Sequence, residues 1–148
     1  MTNGLRGQAA FVGVADAASP TGELELTGRA LEAAMIKEAL DDAGLSLADV
    51  DGLCYAGGMG MGSVSLAEFL GIRPTFTDST MTGGSSFEVF VEHAAAAIAF
   101  GLADVVVSVY GSTPRSDRRQ RGIEGGPGRR RWQMQGPVSY THLRAHET

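Results

Sequence analysis

The sequence predicts an α/β domain built on a mainly parallel sheet, and three observations predict it. Strand-length apolar runs alternate with helix-length runs, the strand runs lack a polar–apolar alternation, and glycines punctuate the connections. Such alternation signals strand–helix–strand crossovers that cover a sheet on both faces. At 148 residues the chain can hold one core of this kind and not two large ones.

The first expected strand is Ala9–Ala15, a short apolar run, followed by a loop through Ser19-Pro20-Thr21-Gly22. A helix is expected from about Glu25 to Ala43. Ala33, Ile36, Leu40 and Ala43 form its apolar stripe, Leu31 and Met35 widen it, and Gly44 stands where a left-handed residue would end it. Gly52–Ala56 reads as the second strand and Gly57–Gly62 as a flexible loop. Ser65 and Glu68 have capping-box spacing for a short helix closing at Gly71. Thr75-Phe76-Thr77 is a short strand. The longest element runs from about Ser86 to Leu102, where Ala94–Ala97 permit close neighbours and place the helix in the middle of the fold. Asp104–Tyr110 is a buried strand ended by Gly111.

Charge divides the chain at Pro114. Residues 1–113 carry Arg6, Arg29, Lys37 and Arg73 against fourteen acids, whereas residues 114–148 carry eight arginines against Asp117, Glu124 and Glu147. The second part has no apolar period and reads as a disordered or foreign basic tail. Its end, Val138–Thr148, resembles translated adapter sequence, so His142 and His146 receive no site role. An acidic body offers no matching basic face, which argues against nucleic acid as a partner. The most apolar stretch, Ala94–Tyr110, is cut by Asp104 and is too short for a membrane span. With no basic-then-apolar leader, the expected location is cytoplasmic. A single cysteine, Cys54, excludes an internal disulfide and a cysteine-rich zinc site, and no metal is expected.

Four features could carry chemistry. Gly58-Met59-Gly60-Met61-Gly62 resembles a dinucleotide loop, but G-x-G-x-x-G needs glycine where Ser63 stands, and the loop follows the wrong strand. Cys54 lies within an apolar strand with no cation to activate it, and reads as a small buried hydrophobe. His93 has no charge partner at Val89 or Ala97 on its own helix, and reads as a packed core residue. Gly83-Gly84-Ser85-Ser86 is the strongest signal. Tandem glycines leave amides open, serines suit a helix N-cap, and the helix start favours a carboxylate or thioester oxygen. An ordinary glycine turn with a serine cap explains the same residues on local grounds.

In order and spacing, residues 6–113 resemble the N-terminal domain of the thiolase superfamily, closest to its lipid-transfer, or sterol-carrier-protein-type, members. Ala9–Asp16, Ala39–Gly52 and Ala94–Val106 carry the likeness. The resemblance implies a layered thiolase-like fold of which this chain is an incomplete N-terminal half. It also implies acyl-CoA handling: acyl transfer or carbon–carbon cleavage on a CoA thioester, as in sterol side-chain retro-aldolases. In thiolases a nucleophilic cysteine opens the central helix; counting back from Gly101 lands on Gly84 and Ser85, and neither is cysteine. Gly83, Gly84 and Ser86 are then expected to shape a substrate pocket, with Ser85 a weak catalytic candidate that would need a base. No covalently bound cofactor is implied; the CoA thioester is substrate. The family likeness further implies a homodimer through Thr75–Asp78 and a small OB-fold acyl-CoA-binding partner. The fragment alone is expected to be inactive, and a non-catalytic lipid- or acyl-CoA-binding scaffold is the alternative reading. A dinucleotide-binding domain is a third.

Overall fold

The computed structural model describes residues 4–21, 23–26, 28–57, 61–113 and 116. The chain divides at Thr113, and Met1–Thr113 form a compact unit. The elements below belong to it. The expectations for the basic tail, His142 and His146 lie outside the described residues, as do Gly58–Gly60 of the glycine loop.

Helix α1 (Gly28–Ala43) leads to strand β1 (Gly52–Tyr55), helix α2 (Gly62–Leu70), strand β2 (Phe76–Asp78), helix α3 (Ser86–Ala99) and strand β3 (Val106–Val109). Short 3-10 turns at Leu47–Asp49 and Gly83–Ser85 precede β1 and α3. The three strands are parallel, in the order β2-β1-β3. The α/β architecture with a parallel sheet is therefore as the sequence predicts.

All four residues of β1 are buried, as a central strand covered on both faces requires. Side-chain alternation sends Leu53 and Tyr55 into a core with Ile36 and Leu40 of α1 and Leu66 and Ala67 of α2. Cys54 and Ala56 point the other way, onto Phe90 of α3, with Phe76, Val106 and Ala94 packed alongside. Helices α1 and α2 thus cover one face and α3 the other. In α3, Ser86, Phe90 and Ala97 are buried, and Ala94–Ala96 are half-buried.

Asp51 gathers the starts of all three strands. Its carboxylate accepts the amides of Asp104 (2.9 and 3.0 Å) and Val105 (2.8 Å), ahead of β3. Its carbonyl accepts the amides of Thr75 and Phe76, at β2. Helix endings follow the glycines: Gly44 at φ 69° closes α1, and Gly71 at φ 71° closes α2.

Three sequence expectations are corrected. Ala9–Ala15 joins no strand ladder, and Phe11 and Val14 are 85% and 79% exposed. A strand needs a neighbour, and no described strand lies beside this one. Helix α2 begins at Gly62 with Met61 at its cap, so Ser65 lies inside the helix and the Ser65–Glu68 capping box does not form. At Ser46 the amide (2.8 Å) and the hydroxyl (2.7 Å) both donate to Asp49 instead. Helix α1 starts at Gly28, three residues later than expected.

Candidate functional site

In a parallel sheet the loops that leave the carboxyl ends of the strands are where ligands bind. Here those loops are Ala56–Met61 after β1, Thr80–Ser85 after β2 and Tyr110–Gly111 after β3.

The Gly83–Ser85 turn leaves β2 and opens α3. Gly83 takes φ 76°, a left-handed conformation that a side chain would strain. A Cβ on Gly84 would meet nothing within 4 Å, so the turn faces open space there. The amides of Gly83 and Gly84 make no hydrogen bond outside the turn among the described residues, whereas the Ser85 amide is taken up by the 3-10 turn that Thr82 opens. Two free donors at the positive end of a fourteen-residue helix can receive an anionic or polarised oxygen.

The two serines differ. Ser86 is fully buried; its hydroxyl donates to the Gly83 carbonyl (2.9 Å) and accepts the Thr82 amide (3.0 Å). Its side chain ties the turn together. Ser85 is exposed and occupies the N-cap position, but its hydroxyl makes no capping hydrogen bond, contrary to the expected serine cap. Nor does it bond, among the described residues, to the base that a nucleophilic serine needs.

An aromatic group borders α3's first turn. Phe87 meets Phe90 edge-on at 6.4 Å and Tyr110 at 5.3 Å. Periodicity in the sequence marks Phe87 and Tyr110 only as apolar positions, because the crossover that joins them is not a local property.

His93 does have a charge partner. Its Nδ1 meets Asp78 Oδ2 at 2.5 Å, from the strand beneath its helix. Asp78 Oδ1 also accepts the Thr80 amide (2.8 Å) and hydroxyl (2.7 Å). Burial alone would raise the Asp78 pKa, but the hydrogen bonds from Thr80 and His93 outweigh it and hold the carboxyl below its ordinary range. The sequence expectation considered only the helix neighbours of His93 and so missed a partner fifteen residues earlier.

Cys54 is completely buried, and burial, with the nearby Asp78 charge, pushes its thiol up to about 12. It is the small buried hydrophobe that its strand context predicts, and not a nucleophile. The glycine loop also has a packing cause. A Cβ on Gly57 would strike the Tyr55 ring at 2.4 Å, and one on Gly62 would strike the Gly57 carbonyl at 2.1 Å. Close packing on Tyr55 therefore accounts for both residues without a dinucleotide. Among the described residues no cluster of His, Cys, Asp and Glu could hold a metal ion, and no helix is long and apolar enough to cross a membrane.

No family model matches the sequence. The chain is 40% identical over 118 residues to a 17-hydroxy-3-oxo-4-pregnene-20-carboxyl-CoA lyase of Mycobacterium tuberculosis. That match takes in 78% of the chain and 30% of the lyase, so the chain spans about a third of its relative's length. A monomeric SCP2-thiolase-like protein of type 1 from Mycobacterium smegmatis shares the fold at TM-score 0.57 and 22% identity, over 78% of this chain and 26% of that one. An Ltp2-ChsH2(DUF35) aldolase does so at TM-score 0.53 and 24% identity, over 70% of this chain and 31% of that one.

Proposed function

From the premise that the chain is a thiolase-like protein, we propose that it supplies one wall of a site for carbon–carbon cleavage, or acyl transfer, on a CoA thioester. The observation that carries this reading is the Gly83–Ser85 turn, with the free amides of Gly83 and Gly84 and open space at Gly84, in a relative of a carboxyl-CoA lyase. Breaking the bond next to a thioester carbon leaves negative charge on the carbonyl oxygen. Fixed amides and a helix N-terminus stabilise that charge without having to reorganise. Phe87 and Tyr110 give the acyl group an apolar border. Proton transfer falls to a group outside the turn, since Ser85 has no base and Cys54 is buried. A lipid or sterol acyl group is the substrate class, by analogy with the lyase's name.

The proposal extends to partners. The two-part name of the aldolase supports a small acyl-CoA-binding partner polypeptide. A homodimer through Thr75–Asp78 is supported by the place of β2 at the sheet edge. The second reading, a non-catalytic acyl-CoA-binding scaffold, is favoured by the absence of a cysteine at the turn.

Incubation with a sterol-type acyl-CoA, read by intact mass and by product release, tests this. Expected are no acyl adduct on Ser85 or Cys54, no turnover by the 148-residue chain alone, and turnover once the remaining polypeptide of a lyase-like protein is joined to it. Turnover by the chain alone, or an acyl-serine adduct, would contradict the proposal; binding without turnover in the joined protein would favour the scaffold.

A further inference from the structure

The first turn of α1 carries two side chains of opposite charge, Arg29 and Glu32. Glu32 is 4% exposed, a depth at which a carboxylate needs a partner on each oxygen. Its Oε1 accepts the Tyr55 hydroxyl at 2.9 Å, but its Oε2 is buried without a hydrogen-bond partner. Arg29 Nη1 is likewise buried without one. The charges of Arg29 and Glu32 both act on the Tyr55 phenol, so the three groups share one neighbourhood. Residues three apart on a helix can meet directly, yet no hydrogen bond joins Nη1 to Oε2.

Glycines close the packing around this cluster. A Cβ on Gly111 would meet Glu32 Cγ at 2.7 Å, and one on Gly57 would meet the Tyr55 ring at 2.4 Å. Tyr55 ends β1, Gly57 follows it and Gly111 follows β3, so the cluster lies at the carboxyl end of the sheet. It sits on the face that α1 covers, whereas the Gly83–Ser85 turn opens the helix on the other face.

We propose that Arg29, Glu32 and Tyr55 form the binding site of one internal water molecule. Arg29 Nη1 donates to the water oxygen, and the water donates to Glu32 Oε2 and to the Tyr55 oxygen, whose own proton is committed to Glu32. About three partners are the usual complement of a buried water. Charge selects a neutral occupant, because Glu32 repels an anion and Arg29 repels a cation. Hydrogen bonding selects one that both accepts and donates, which excludes a hydrocarbon and a lone carbonyl. The close approaches at Gly57 and Gly111 select a small one. Through this water the first turn of α1 is tied to the end of β1, and the Tyr55 ring is held where Gly57 and Gly62 pack on it.

A crystal structure of the 148-residue chain, at a resolution that orders internal waters, tests the site. One water is expected within hydrogen-bond distance of Arg29 Nη1, Glu32 Oε2 and the Tyr55 oxygen. Oxygen-17 relaxation dispersion supplies a solution readout: the signal of long-lived water should fall by the equivalent of one molecule in the Arg29→Met, Glu32→Met double variant. Each single variant leaves the opposite charge buried alone, and should lower the folding equilibrium constant at least about tenfold more than the double variant does. A direct contact between Arg29 Nη1 and Glu32 Oε2, or ordered side chains with no water between them, would overturn the proposal. So would an unchanged dispersion signal in the folded double variant. The native crystal structure decides even where that variant fails to fold.

Discussion

Tyr55 shows how one buried polar contact sets a pH dependence. Its hydroxyl donates to Glu32 Oε1 at 2.9 Å, while Glu32 Oε2 and Arg29 NH1 are buried without a partner among the described residues. Burial, the hydrogen bond to Glu32 and the Glu32 charge push the phenol up to about 12, against the opposing Arg29 charge. A pKa raised above the unfolded value of about 10 stabilises the fold below that pH. This contribution is lost as pH rises through about 12. Tyr55→Phe leaves Glu32 Oε1 unpaired and should cost about 1–3 kcal/mol at neutral pH, read as a lowered urea midpoint. Asp78 works in the opposite sense. Its depressed pKa stabilises the fold above about pH 4 and is lost as pH falls through the lower folded value. Asp78→Asn should therefore flatten the acid limb of a midpoint-versus-pH curve and cost about 1–2 kcal/mol above it, the half-exposed His93 contributing the smaller part. Cys54 should resist Ellman's reagent at pH 8 until denaturant is added; prompt reaction of the native protein would contradict its burial.

At the scale of elements, Asp51 is the joint on which the sheet depends. Asp51→Ala frees the amides of Asp104 and Val105 and should lower stability by about 1–2 kcal/mol in chemical denaturation, with β3 exchanging first. Most elements were legible in the sequence because their causes are local. The Leu31–Ile36–Leu40 stripe makes α1, the apolar runs at Leu53 and Val106 make strands, and Gly44 and Gly71 end helices by taking positive φ. The misreadings arise where the cause is distant. Ala9–Ala15 has strand composition, but strand geometry depends on a neighbour that no described residue provides. Ser65 and Glu68 have the right spacing for a cap, but close packing of Gly62 on Gly57 and Tyr55 starts the helix earlier.

For the whole molecule, the topology rather than any one motif makes the site. Strand β1 sends the chain outward through α2 to β2, and α3 returns it across the opposite face to β3. The turn before α3 therefore sits at a carboxyl edge of the sheet. Gly83, Gly84 and Ser85 were legible in the sequence as a glycine turn before a helix. The inward commitment of Ser86, the Asp78–His93 pair and the Phe87–Tyr110 contact were not, because each depends on a crossover. In the proposed function the turn's amides, without a covalent nucleophile, hold a thioester oxygen. The carbonyl stretch of a [1-13C]acyl-CoA bound to the protein, measured by infrared difference spectroscopy, tests it most directly. The stretch is expected at lower frequency on binding, with the shift lost and affinity reduced at least about tenfold in Gly84→Val, whose Cβ fills open space and leaves stability within about 0.5 kcal/mol. A bound thioester with an unshifted carbonyl, or a Gly84→Val variant that binds and shifts it as before, would show that the turn does not hold the oxygen.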